Sequence, residues 1–257
     1  MAEPTGPFVE YSLEDRVVRL TMNRPPLNIL NLEMLRELDA ALVRASEETA
    51  LAAVWLRAEG RSFCAGVDIG DHAPDRVGTM IPLFDSVCRR LAEMPAPTAA
   101  EVQGHALGGG CELVACCDFA WMAENARIGQ PEIQLGVFPP VAALVLPRLI
   151  GPRWSARLIL TGEAIRAEDA ARIGLVTSVV SPEALAGTVA AFVQQLRGMS
   201  AAALRVTLQA HRLGVGNWPE RLPEIERIYL KELMATRDAS EGLQAFLEKR
   251  DPQWQHR

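Results

Sequence analysis

Three short segments carry the residue types able to do chemistry. The first is His105-Ala106-Leu107-Gly108-Gly109-Gly110-Cys111-Glu112-Leu113. Consecutive glycines between a predicted strand and a predicted helix allow tight backbone and close approach of a ligand. Peptide N–H groups at such a helix start lack intrahelical acceptors and carry the positive end of the helix dipole. A developing oxyanion needs such donors. Taken alone, a glycine triplet is more often a turn than a site. It is not a dinucleotide fingerprint, because G-x-G-x-x-G is absent there, and no Gly-Lys-Ser/Thr follows to make a phosphate-binding loop.

The second segment is Ser62-Phe63-Cys64-Ala65-Gly66-Val67-Asp68-Ile69, where small residues at 64–66 let backbone come close to a partner. The third, Ala126 to Gly136, places Glu132 in a loop rich in Gly and Pro, after Glu112 in the chain. A lone loop glutamate is usually solvated. Two carboxyls flanking one ligand would form a general acid/base pair.

Elements must position these groups. Phe8–Ser12 and Val17–Met22 alternate apolar and polar residues around Leu13-Glu14-Asp15 and predict a hairpin. Asn31 is placed to cap a helix with a Leu35, Leu38, Leu42 stripe. Strands are expected at Ala52–Arg57, Thr98–Val102, Phe119–Ala123 and Leu175–Val180, and helices at Met80–Met94, from Cys111, at Leu144–Ile150, Trp154–Leu160 and Ala167–Ile173. From Pro182 onward the pattern is helical. The fold class read from this order is α/β with a helical C-terminal region. No sequence repeat, low-complexity segment or linker interrupts it.

Bulk properties narrow the function. With 49% hydrophobic and 23% charged residues in 257, disorder is not the default, and one large domain or a domain plus a small appendage is expected. The net charge of −6, with Lys and Arg scattered, argues against nucleic acid as partner. The opening residues lack an apolar signal core, and no apolar run is long enough to span a bilayer, so a cytoplasmic location is expected and no membrane partner. Cys64, Cys88, Cys111, Cys116 and Cys117 show neither C-x-x-C pairing nor a flanking His, so no metal site is predicted and the thiols read as reduced and mostly buried.

Together, in this order and spacing, the three segments resemble the crotonase superfamily, and within it the enoyl-CoA hydratases. The likeness runs from Arg16 to Phe246-Leu247-Glu248-Lys249-Arg250. It implies a spiral of ββα turns over residues 1–195, carrying binding and catalysis. Residues 196–257 would be a helical region that builds a homotrimer or a dimer of trimers and completes the CoA site. It implies an oxyanion hole from the backbone N–H groups of Val67 and Gly109. Glu112 would activate water at Cβ and Glu132 would deliver a proton to Cα. Relatives that isomerise, hydrolyse, dehalogenate or decarboxylate commonly lack one of these glutamates. The substrate would be an acyl-CoA thioester, with no separate cofactor. For CoA the resemblance implies contacts from Arg24, from Ala65, Gly66, Asp68 and Ile69, and from Phe246 and Lys249. Other reactions of the superfamily (dehydratase, isomerase, ring hydrolase) and a non-catalytic acyl-CoA- or RNA-binding relative are the alternatives.

One stretch departs from the usual hydratase pattern. After Gly136, where a Pro-Gly and a Gly-Gly-Thr segment are common, the chain reads Val137-Phe138-Pro139-Pro140-Val141-Ala142-Ala143. Phe138, Pro140 and Val141 would therefore reshape the acyl pocket, in a pattern similar to hydratases of alicyclic dienoyl-CoA thioesters. Of the four histidines, His105, His211 and His256 receive no role. His72 falls in the loop that covers the acyl chain in the family, where it would either touch substrate or, as favoured here, be solvated.

Overall fold

A computed structural model describes residues 6–215 and 218–253; His256 lies outside them. The expected hairpin is β1 (Val9–Glu14) and β2 (Val17–Met22), paired antiparallel from Val9↔Met22 to Glu14↔Val17. Its two turn residues, Asp15 and Arg16, have φ of 49° and 66°. That geometry matches the twist of the flanking strands. Parallel to β2 run β3 (Ala53–Ala58), β5 (Thr98–Val102), β7 (Phe119–Ala123) and β10 (Ser178–Val180), in the order β1-β2-β3-β5-β7-β10. The central strands read as continuous apolar runs because helices and a second sheet cover them.

That second sheet was not visible in the sequence pattern. Its strands, β4 (Ser62–Cys64), β6 (His105–Leu107), β8 (Arg127–Gly129) and β9 (Ala164–Arg166), have 3 residues each and lie in the order β4-β6-β8-β9. Runs that short show no usable periodicity. Three times a strand of the large sheet turns into a strand of the small one and then into a helix. β3 and β4 lead to α2 (Val77–Ala92), β5 and β6 to α3 (Gly109–Ala115), and β7 and β8 to α4 (Pro140–Leu149). The first turn of the spiral is β2, an extended Leu30 bridged to Val67, and α1 (Leu32–Ser46). Asn31 caps α1 as expected, its side chain accepting from Met34 N at 2.9 Å, and Leu35, Leu38 and Leu42 are buried. The chain is therefore an α/β spiral of ββα turns.

The remainder is helical: α5 (Gly151–Thr161), α6 (Ala167–Arg172), α7 (Pro182–Arg197), α8 (Ala201–Val215), α9 (Trp218–Lys231) and α10 (Arg237–Glu248). The expected strand at Leu175–Val180 is shorter, since only Ser178–Val180 pairs with β7 while Leu175 and Val176 turn into the core. α9 folds back onto α4 and α2, and its Tyr229 joins the same hydrophobic core as β2 and α1. The C-terminal region is thus packed on the spiral rather than set apart from it. Among the described residues, no helix is long and apolar enough to cross a membrane.

Candidate active site

The floor of the site forms where two turns of the spiral meet. Leu30 N–H donates to Gly66 O at 2.9 Å and Asp68 N–H donates to Leu30 O at 2.8 Å. Alternate peptide groups of an extended strand point to opposite sides. This pairing therefore uses the groups on either side of Val67 and directs the Val67 N–H away from Leu30. Across from it, Gly109 is the first residue of α3, where N–H groups have no helical acceptor. The glycine triplet is forced by contact. A methyl on Gly109 would sit 2.8 Å from Val67 Cγ2, one on Gly110 2.2 Å from Cys64 O, and one on Gly108 2.5 Å from Glu132 Oε1. Gly108 also has φ of 54°. Each glycine thus admits a different neighbour, and together they bring 64–67, α3 and Glu132 into touch.

The two glutamates arrive on separate elements. Glu112 lies in the first turn of α3, 3% exposed, and its Oε1 accepts from Ala142 N at 2.8 Å. Burial pushes its carboxyl up to about 7, against the opposing backbone hydrogen bonds of Ala142 and Val141. Glu132 sits in a 3₁₀ turn, Pro131–Leu135, half-buried. Burial and then the charge of Glu112 hold it well above the ordinary carboxyl range. Gln130, fully buried and oriented with its amide nitrogen toward the site, donates to Glu132 Oε1 and Oε2 at 3.2 and 3.1 Å. The backbone N–H of Glu132 itself opposes the rise without cancelling it.

Both carboxyls open on one cavity of about 90 Å³, room for several water-sized groups. Ala65, Gly66, Val67, Ile69, Gly109, Glu112, Glu132, Phe138 and Pro140 all line it, so most of the residues singled out from the sequence converge on a single chamber. Among the described residues, no lysine or arginine lines it.

Five of the expected residues lie elsewhere. The Val141 side chain is fully buried in the core and absent from the wall; it serves the site through its backbone beside Glu112. In the first turn of α4, packed among α2, α3, α5 and α9, a side chain turned into the core cannot also face the chamber. Asp68 caps the 3₁₀ turn Ile69–His72 by accepting from Gly70 N at 2.9 Å, and its Oδ2 stands 3.8 Å from Arg24 Nη1. Arg24 itself donates to Ile29 O at 2.8 Å. Phe246 is 52% exposed at the end of α10, and Lys249, with φ of 55°, closes that helix. Neither reaches the chamber wall.

Sequence reasoning gave no place on the wall to Met80, Ile81, Phe84 or Tyr229, and favoured a solvated His72. His72 is 9% exposed rather than solvated; its Nδ1 lies 3.0 Å from Asp68 O, and burial lowers its pKa. Phe84, on α2, packs where a Gly109 methyl would be 3.2 Å away. Tyr229, on α9, closes the chamber against Phe138, ring centroids 5.2 Å apart at 65°. Tyr229 had no local signal, because only the return of α9 onto α2 and α4 brings it there.

Two turns of a ββα spiral thus bring the backbone of Val67 and Gly109 and the paired carboxyls of Glu112 and Glu132 to one chamber. Residues 12–257 match the enoyl-CoA hydratase/isomerase family, and the chain belongs to it. Among curated relatives, the cyclohexa-1,5-dienecarbonyl-CoA hydratase of Thauera aromatica is 35% identical over 100% of both chains. The crotonyl-CoA hydratase of Syntrophomonas wolfei is 37% identical over 92% of this chain and 94% of its own. Among solved structures, an enoyl-CoA hydratase from Mycobacterium avium subsp. paratuberculosis superposes with a TM-score of 0.86 at 26% identity, covering 96% of this chain and 98% of that one. An enoyl-CoA hydratase/isomerase from Pseudoalteromonas atlantica gives 0.85 at 31% identity over 96% and 99%.

Proposed function

We propose that this protein adds water reversibly across the α,β double bond, or conjugated diene, of an acyl-CoA thioester. The observation that carries this reading is the meeting of Glu112 and Glu132 in one chamber, beside the Val67 and Gly109 backbone. The thioester oxygen would accept from the Val67 and Gly109 N–H groups, each aligned donor lowering the barrier by about 3 kcal/mol. Ionised Glu112 takes a proton from water as its oxygen bonds to Cβ. The electron pair of the double bond moves toward the carbonyl, giving an enolate. Neutral Glu132 then donates its proton to Cα. Their environments fit this division. Glu112, at about 7, is partly ionised near neutrality, while its charge keeps Glu132 protonated.

A compact alicyclic dienoyl group is the favoured acyl substrate. Pro140 stands on one wall where a flexible glycine is common, and the Phe138–Tyr229 pair closes another with flat aromatic surface. The relative from Thauera aromatica, whose name specifies a cyclohexadiene thioester, matches along the full chain. CoA would run past Ala65–Ile69 toward Arg24. Phe246 and Lys249 would complete its site in the same or a neighbouring copy of a trimer-based assembly, for which the exposed Phe246 and Leu247 (57%) offer apolar surface. A cytoplasmic setting agrees with five free cysteines, four of them buried.

The test is hydration of cyclohexadienoyl-, crotonyl- and longer enoyl-CoA esters followed by loss of enoyl absorbance. Wild type should turn over at least one, and Glu112→Gln and Glu132→Gln should not, while all three bind the thioester. A wild type that binds but turns over none would make it a binding module. Light scattering at micromolar concentration should show a trimer or hexamer; a strict monomer would refute the assembly.

A further inference from the structure

Among the described residues, the chamber wall carries four polar side chains: His72, Glu112, Glu132 and Tyr229. Hydration as proposed above assigns work to the two carboxyls only. His72, 9% exposed, has its Nδ1 directed at Asp68 O, 3.0 Å away. Nδ1 is therefore the protonated nitrogen, leaving Nε2 an acceptor. Tyr229 is 1% exposed, and its ring packs at 65° against that of Phe138. Burial first, and then the charges of Glu132, Glu112 and Asp85, drive its phenol pKa upward, so the O–H persists through any working pH.

An attacking water has one lone pair for Cβ, two O–H groups to donate and a second lone pair that needs a donor. Ionised Glu112 only accepts. Glu132 must keep its proton for Cα. His72 presents an acceptor. Tyr229 is then the wall side chain with a hydroxyl proton to spare. We infer that Tyr229 is a further catalytic residue, whose hydroxyl donates to the oxygen of the attacking water and, in the reverse direction, to the departing hydroxyl. It does not transfer its proton; it fixes the direction of the water's lone pair. This inference rests on the hydratase reading.

The experiment pairs two reactions of the whole enzyme. Hydration needs the water, whereas exchange of the Cα proton of a saturated acyl-CoA in D₂O needs the oxyanion donors and Glu132 but no attack at Cβ. Tyr229→Phe keeps the ring against Phe138. It should lower hydration kcat about tenfold or more, with KM and Cα exchange within about twofold of wild type. By microscopic reversibility kcat/KM should fall by the same factor for dehydration. Wild-type hydration in Y229F, or equal loss of both reactions, overturns the inference. The second result would mean the ring only positions Glu132. Should Y229F melt below the assay temperature, 3-fluorotyrosine at position 229 retains the fold and strengthens the donor. A changed ratio of hydration to exchange then supports the role, and an unchanged ratio overturns it. If wild type hydrates no enoyl-CoA while exchanging Cα protons, the hydratase reading fails, and this inference falls with it.

Discussion

Carboxyl groups in two parts of the molecule are driven in opposite directions. In the chamber, desolvation holds both Glu112 and Glu132 above the ordinary range, and among the described residues no lysine or arginine lines the wall. At the end of α10, Glu241 accepts from Arg250 Nη1 at 2.6 Å and Gln253 N at 2.7 Å, which pull it down to about 2. Glu248, 2.6 Å from Arg250 Nε, is lowered as well, through Gln244 and Arg250. All four are glutamates on or beside short helical segments. A carboxyl near neutral pKa can exchange protons at working pH, whereas one clamped by guanidinium cannot. Acid–base capacity here comes from excluding cations as much as from supplying carboxyls.

The largest expected effect tests that contrast directly. Glu112→Gln and Glu132→Gln should each lower hydration by about a thousandfold, while Glu241→Gln leaves the rate within about twofold. Comparable losses at 112 and 241 would collapse the distinction. Next, Gly109→Ala should cost on the order of a hundredfold in kcat, because its methyl would meet Val67 Cγ2 at 2.8 Å and misalign the donors. Circular dichroism should show that variant still folded.

The third effect is one of pH. The raised pKa of Glu112 means that the folded state binds a proton which the unfolded chain releases, between 4.5 and about 7. Stability is therefore full below that window and is lost as pH rises through it. Glu112→Gln removes the loss, so the variant should gain on wild type in thermal melts by up to about 3 kcal/mol from pH 4.5 to 8. A constant gap would mean Glu112 is not protonated in the fold. For Glu241 the sign reverses: its contribution is present above the usual carboxyl range and fades only as pH falls toward about 2. Smallest, and away from both regions, Asn31→Ala should cost about 1 kcal/mol of stability through loss of the α1 cap, with hydration unchanged.

Much of this was legible beforehand. Asn31, the hairpin, the central strands and the glycine triplet carry local signals set by backbone sterics and capping. The three segments at 62–69, 105–113 and 126–136 also mark the chamber, since tight turns need glycine and small residues wherever they are. The small sheet was hidden because three-residue strands have no period. The spiral repeats in structure alone: β3–β4, β5–β6 and β7–β8 share geometry without sharing sequence.

Residue types and spacing thus determined which backbone turns exist and which elements hold Glu112 and Glu132. They did not determine how far each carboxyl is removed from water, which side of α4 Val141 faces, that α9 returns to place Tyr229, or that His72 is buried. Those outcomes depend on contacts between residues distant in the chain, and only packing decides them, because desolvation is a property of what surrounds a group and not of the group itself.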